Sequence, residues 1–138
     1  KGNIFHLIMS EIYSVKDVNL VLNKYYELGE ISRGKKEKLK EVIFKITENK
    51  EIEEFYNPKY KSFNEREIIE KNGKSFIPDR IVFLNEKNII LIDYKTGTKK
   101  SKYINQLKDY ELKLHKIGLN TIKKIIIYVS DDIKIECF

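Results

Sequence analysis

Two short stretches of the sequence carry acidic and basic side chains where two neighbouring strands would bring them together. Pro78-Asp79-Arg80 and Asp93-Tyr94-Lys95 lie on either side of a short turn signal. A short turn makes two strands pair antiparallel, so Asp79 and Asp93, each seven residues from the centre of the turn, fall nearly opposite each other. Lys95 lies two residues beyond Asp93 and points to the same face of its strand. The spacing therefore predicts two carboxylates and an ammonium group in one place.

Such a group of charges suits a divalent cation that acts on phosphate esters. Two close carboxylates repel each other unless a proton or a cation joins them, and their hard oxygens select Mg2+, Mn2+ or Ca2+. A bound cation polarises a phosphoryl oxygen and lowers the pKa of a bound water; Lys95 would orient that water or stabilise charge on the phosphate. The alternative is a surface salt bridge among the same three side chains. Asp93 directly follows the apolar run Ile89-Ile90-Leu91-Ile92, where an unpaired charge is costly, and this favours the cation site.

The apolar pattern divides the chain into a helical segment and a sheet-forming segment. Over residues 1–60, apolar side chains such as Phe5, Ile8 and Ile12 recur at helical spacing until Asn57-Pro58 breaks the pattern. Strand, helix and strand in the later part form a parallel crossover, so the expected fold class is α/β with a mixed central sheet flanked by helices. The sequence predicts strands over 63–70, 76–84, 89–95, 122–129 and 133–138, the last at an edge, and a helix over 102–117.

Composition limits the classes of protein to which the chain can belong. Its 138 residues, 41% hydrophobic and 35% charged, fit one domain, and no apolar run approaches the length of a membrane span. A single cysteine, Cys137, excludes an internal disulfide framework and an iron–sulfur cluster held by four thiolates, and a cytoplasmic location is the default. The start Lys1-Gly2-Asn3, without Met, suggests a fragment of a longer polypeptide.

Lysines are concentrated in one part of the chain. The net charge is +6, and residues 95–124 carry nine lysines against Asp109 and Glu111. A local excess of this size attracts a polyanion through counterion release. The alternative is a solvated, lysine-rich surface.

The order of these motifs resembles that of a known family, the PD-(D/E)XK nuclease superfamily, and within it the RecB-like branch. The resemblance covers essentially the whole chain and is strongest over residues 63–118. It rests on Gly2-x-x-x-His6, Ile77-Pro78-Asp79-Arg80-Ile81-Val82, Ile92-Asp93-Tyr94-Lys95-Thr96-Gly97 and Tyr103-x-x-Gln106-x-x-x-Tyr110.

The resemblance implies a role for each matching residue. His6, Asp79 and Asp93 would be metal ligands together with the backbone carbonyl of Tyr94, and Lys95 would be the catalytic lysine. Glu65 or Glu67 would be the acid at the start of the first core strand; both would share a face, and Glu65 is favoured. Gln106 and Tyr110 would support the site or contact DNA. The loop lysines would track a phosphate backbone unless they form a solvated linker; they are Lys99, Lys100 and Lys102.

The resemblance also implies a function and its context. We expect one RecB-like nuclease domain over residues 1–138, with a helical segment at 1–60 and a catalytic core at 61–138. It would be a Mg2+- or Mn2+-dependent deoxyribonuclease of the exonuclease type, acting on single- or double-stranded DNA ends. Such domains commonly end UvrD-like helicases such as AddA and RecB, so the partner would be a helicase domain of the same polypeptide, in recombination and double-strand-break repair. The alternatives are a non-catalytic DNA-binding module and a stand-alone restriction-type endonuclease.

Overall fold

A computed structural model describes residues 3–138 and has a mixed α/β fold. Its helices are α1 (Ile4–Ser10), α2 (Val18–Glu27), α3 (Arg33–Thr47) and α4 (Ser101–Lys116), with 3-10 turns at Val15–Asp17 and Glu53–Tyr56. Its strands are β1 (Lys61–Asn64), β2 (Ile68–Ile69), β3 (Ser75–Phe76), β4 (Arg80–Phe83), β5 (Asn88–Thr96), β6 (Asn120–Val129) and β7 (Ile133–Cys137). Gly2 lies outside the described residues, so the structure bears on only the His6 end of the first motif.

The central sheet is mixed, as the sequence predicts. Its five strands follow the order β1-β4-β5-β6-β7. The crossover through α4 makes β5 and β6 parallel, and the other neighbouring strands are antiparallel. The last strand, β7, lies at an edge as expected.

Strand β5 is the centre of the sheet because its side chains are apolar on both faces. Ile90 and Ile92 pack with the N-terminal helices, whereas Ile89 and Leu91 pack with α4 on the other face. Residues 89–94 are all buried. Charged groups at the end of this strand are therefore held on a rigid support.

The predicted strands over 63–70 and 76–84 are wrong in their bounds, since the chain splits both. In each case one part joins the sheet, as β1 and β4, and the other part forms a separate two-stranded ribbon, as β2 and β3. Glu65, the residue after β1, has a φ of 53°. This is the left-handed region of backbone conformation, so the strand ends before Glu65. Pro78, which has no N–H to donate to a ladder, separates β3 from β4.

The helices do not have the character of membrane spans. Among those formed by residues 3–138, none combines the length and the apolar character that crossing a bilayer requires.

Candidate active site

The two aspartates meet at the end of the β4–β5 pair. Arg80 pairs with Ile92, so Asp79 and Asp93 occupy the next position of the register, as the turn arithmetic predicts. Asp79 itself lies one residue before β4 rather than within the strand that the sequence predicted. Its Oδ2 accepts a hydrogen bond of 2.8 Å from the backbone N–H of Tyr94. The β5 backbone thus fixes one carboxylate, and the other projects from β5 itself.

The aspartates titrate as a pair. Burial, and then the charge of Asp79, raise the pKa of Asp93 to about 7. Burial opposes ionisation of Asp79 as well, but hydrogen bonds from His6 and Asp93 and the charge of His6 keep the pKa of Asp79 below its usual range. The pair therefore holds one proton below about pH 7 unless a cation takes its place.

Lys95 lies on the same face as Asp93, as the strand period predicts. Its Nζ is 2.9 Å from Asp93 Oδ2 and donates a hydrogen bond of 2.8 Å to Gln106 Oε1. Gln106 Nε2 in turn donates to the hydroxyl of Tyr110 at 3.1 Å. The i, i+4 pair on α4 is therefore a support that fixes the position of the ammonium group.

One oxygen of Asp93 has unused capacity. Lys95 Nζ lies 2.9 Å from Oδ2 as an ion-pair partner, and this buried oxygen has no other partner in the described part of the chain. Asp93 is only 3% exposed, so bulk water has little access to this oxygen as a further hydrogen-bond donor. A buried acceptor of this kind is a natural ligand for a cation.

His6 reaches the same place from α1. Its Nε2 is 2.9 Å from the carbonyl oxygen of Tyr94 and 3.3 Å from Asp79 Oδ2. Its Nδ1 is 2.9 Å from Asn3 Oδ1, which also accepts from the His6 backbone N–H. Since both ring nitrogens face acceptors, the imidazolium form satisfies them best. The hydrogen bond to Asp79 accordingly raises the pKa of His6 although burial opposes it.

Arg80 and Asn64 hold α1, the short helix that carries His6. The guanidinium of Arg80, 1% exposed, donates to the carbonyls of Ile12, Tyr13 and Phe55 at 2.8–3.0 Å. Asn64 Nδ2 donates to the Ile12 carbonyl at 3.0 Å and, more weakly, to others at the end of α1. Sequence reasoning assigned no role to either residue. The sequence feature that could have indicated a role for Arg80 was its charge at the start of the apolar strand Ile81-Val82-Phe83.

The two candidate glutamates are not on a strand and do not share a strand face as predicted, because the chain turns out of β1 at Glu65. Glu65 nevertheless lies beside Asp79: its N–H donates to the Asp79 carbonyl at 3.0 Å. Burial, and then the charge of Asp79, raise the pKa of the Glu65 carboxyl. Glu67 is exposed. The placement favours Glu65 over Glu67 as a third acid near the pair.

Two of the three loop lysines flank an aromatic ring, Tyr103, to which the sequence analysis gives no role in the site. Lys99 Nζ pairs with Glu136 Oε2 at 2.7 Å. Lys100 and Lys102 flank the ring of Tyr103, with Nζ atoms 6.0 and 5.8 Å from its centre, and Lys95 Nζ is 4.8 Å from it. The signal for Tyr103 was its position three residues before Gln106 on the same helix.

The donors present are chemically suited to a divalent cation but are bonded to one another. Two carboxylates and a backbone carbonyl are hard oxygen ligands, and neutral imidazole adds a nitrogen; the four are Asp79, Asp93, the Tyr94 carbonyl and His6. Across residues 3–138, no three His, Cys, Asp or Glu side chains stand ready around a common point for a metal. His6 Nε2 instead faces two of the oxygens, the Tyr94 carbonyl and Asp79 Oδ2, with its ring proton between them. Cation binding would therefore compete with that proton.

Comparison of the sequence with protein families and with curated proteins does not assign a function to this site. No protein-family model matches the chain, and a search of curated proteins found no match.

Proposed function

We propose that this chain is a metal-dependent nuclease domain of the PD-(D/E)XK superfamily, RecB-like branch, which hydrolyses phosphodiester bonds of DNA. The observation that carries the proposal is the meeting of Asp79 and Asp93 at the end of β5, with Lys95 Nζ 2.9 Å from Asp93 Oδ2. A surface salt bridge is the weaker explanation, since Asp93 is almost fully buried and, within the described residues, its Oδ2 has no partner besides Lys95.

Four donors would hold Mg2+ or Mn2+: His6, Asp79, Asp93 and the carbonyl oxygen of Tyr94. When bound, the cation supplies polarisation of the phosphoryl oxygen and a lower pKa for a bound water. Glu65, beside Asp79, adds a further carboxylate for a second cation or for a proton.

The remaining site residues act through charge and position. The ammonium group of Lys95 stabilises negative charge that develops on the phosphate. Gln106 keeps that ammonium group beside Asp93, and Tyr110 fixes Gln106. Lys99, Lys100 and Lys102 lie on the loop and helix start next to Lys95, where they would attract the DNA backbone.

The biological context that we propose is a helicase–nuclease acting in recombination and double-strand-break repair. The nuclease would process DNA ends, single- or double-stranded, as an exonuclease in the cytoplasm. The support for this context is the order of the motifs around His6, Asp79, Asp93 and Gln106, which is that of the RecB-like branch.

The test is cleavage of labelled single- and double-stranded DNA with Mg2+ or Mn2+. We expect cleavage by the wild-type chain and its loss in Asp93→Ala and in Lys95→Ala. Asp109→Asn and Lys108→Ala change exposed charges on α4 and should cleave normally. Circular DNA, which has no ends, distinguishes an exonuclease from an endonuclease, since an exonuclease leaves it intact.

Cleavage that survives both site substitutions would defeat the proposal. DNA binding without cleavage, combined with no heat of Mn2+ binding in calorimetry, would assign the chain to the non-catalytic class.

A further inference from the structure

Tyr103 forms an aromatic surface beside the proposed catalytic lysine. It lies in the first turn of α4 and is partly exposed. Three ammonium groups lie within 6.0 Å of its ring centre: those of Lys95, Lys100 and Lys102. An aromatic ring with several cations around it suits a nucleotide, because the base stacks on the ring while the phosphates meet the cations.

A second aromatic ring and a cleft adjoin this surface. Tyr128 pairs with Lys95 across the β5–β6 register, and its ring centre is 6.3 Å from that of Tyr103. Tyr128 also lines a cleft of about 630 Å3 between the loop after β5 and strand β7. The charges of the cleft balance, Lys99 and Lys134 against Asp132 and Glu136. The cleft lining therefore carries no net charge, and the excess positive charge lies around Tyr103.

Tyr103 could alternatively serve only to support Lys95. Lys95 already has two partners, Asp93 and Gln106, within 2.9 Å. Lys100 and Lys102 are exposed side chains whose ammonium groups both lie beside this ring, 6.0 and 5.8 Å from its centre. A purely supporting role leaves these two cations unexplained.

We propose that Tyr103 is a stacking platform for one unpaired base of the DNA strand, next to the phosphodiester that the site would cleave. The inference rests on the proposed nuclease function and adds the subsite that receives the base. A base inside a duplex has both faces covered by its neighbours, whereas an unpaired nucleotide offers a free face to Tyr103. Lys100 and Lys102 then hold the phosphates on either side of that nucleotide.

The experiment measures binding without cleavage. Fluorescence anisotropy in EDTA compares a single strand of about ten nucleotides with an abasic strand of equal length. Tyr103→Leu should weaken binding of the base-bearing strand about fivefold or more, as loss of one stacked base requires, and should leave the abasic strand within about twofold. Tyr103→Phe keeps the ring and should bind as the wild type. Tyr60→Leu is the matched control, because Tyr60 also lies under a lysine, with Lys59 Nζ 4.9 Å from its ring centre.

Equal weakening of both strands, or of neither, would overturn the proposal. A wild-type measurement provides a check that needs no variant: a strand containing 2-aminopurine should lose fluorescence on binding, and an unquenched base contradicts stacking. Because no divalent cation is present, the outcome is independent of catalysis. Stacking without later cleavage would refute the nuclease and keep the subsite, whereas cleavage without the Tyr103 effect would do the opposite.

Discussion

The buried aspartate pair determines how the protein responds to pH. The pKa of Asp93 is raised to about 7, against an ordinary value of 3.8. A carboxyl whose pKa is higher in the folded state favours folding while it is protonated, and this contribution is lost as pH rises through the interval between the two values. The raised pKa of His6 acts in the same direction, because its contribution is complete below the unfolded value and is lost above the folded one.

We therefore predict that the metal-free protein melts at a lower temperature at about pH 8 than at about pH 5. Asp79, whose pKa is lowered, loses its contribution only at more acidic pH. Asp93→Asn should remove most of the slope, and Asp109→Asn should keep it. Calorimetric melting in EDTA measures this, and an unchanged slope in Asp93→Asn would mean that another group controls it.

The hydrogen bond from Lys95 to Gln106 is a positioning contact. Gln106→Ala removes one of the two partners that position the ammonium group and leaves Asp93 as the other, and supporting contacts around a site typically contribute about 10–100-fold to activity. We expect the loss in kcat rather than in KM, since substrate binding does not need the contact. Tyr110→Phe, which removes only the hydroxyl that holds Gln106, should cost less.

The control for this series is Asn105→Ala, the exposed neighbour of Gln106 on α4. A loss confined to KM would show that Gln106 contacts DNA instead of supporting Lys95.

At the scale of elements, the site depends on how α1 is held against the sheet. A helix of seven residues is not stable alone in water. The hydrogen bonds of Arg80 and Asn64 to the chain that follows α1 supply the orientation that lets His6 reach Asp79.

Asn64→Ala should therefore destabilise the protein by about 1–3 kcal/mol, because it removes a donor to the carbonyls at the end of α1 and an acceptor for the guanidinium of Arg80. Hydrogen exchange should show faster opening of α1 than of β5. Asn23→Ala, at an exposed position of α2, serves as the control. Equal loss of protection in α1 and β5 would indicate a global effect rather than loosening of the helix.

The elements that could be predicted are those with strong apolar periodicity. Strand β5, the crossover helix and the order of the later strands follow from runs such as Ile89–Ile92 and from the stripe that includes Leu107 and Leu114. The break at Glu65 could not be predicted, because a positive φ at a glutamate depends on its contact with Asp79. The position of His6 was also beyond local pattern, since 88 residues separate it from Tyr94. The meeting of Asp79, Asp93 and Lys95 could be predicted by counting residues from the turn, because a short turn fixes how the two strands pair.

Across the full chain, we expect the lysines around the site to determine how strongly DNA binding depends on the salt concentration. Lys99→Glu combined with Lys100→Glu should weaken DNA binding and reduce the dependence of the binding constant on salt. The matched control is Lys87→Glu with Lys116→Glu, which lie at the opposite ends of β5 and α4. Anisotropy titrations at several salt concentrations measure the slope, and an equal change in both pairs would exclude a specific path past the loop.

The long separation between His6 and Tyr94 affects the order of events during folding. Contacts far apart in sequence form slowly, because the chain must first close a large loop. The β4–β5 hairpin needs no such closure, so the two aspartates meet early and the imidazole arrives late. During refolding, hydrogen-exchange protection of β5 should appear before cation affinity recovers, and the interval between the two signals would report the docking of α1.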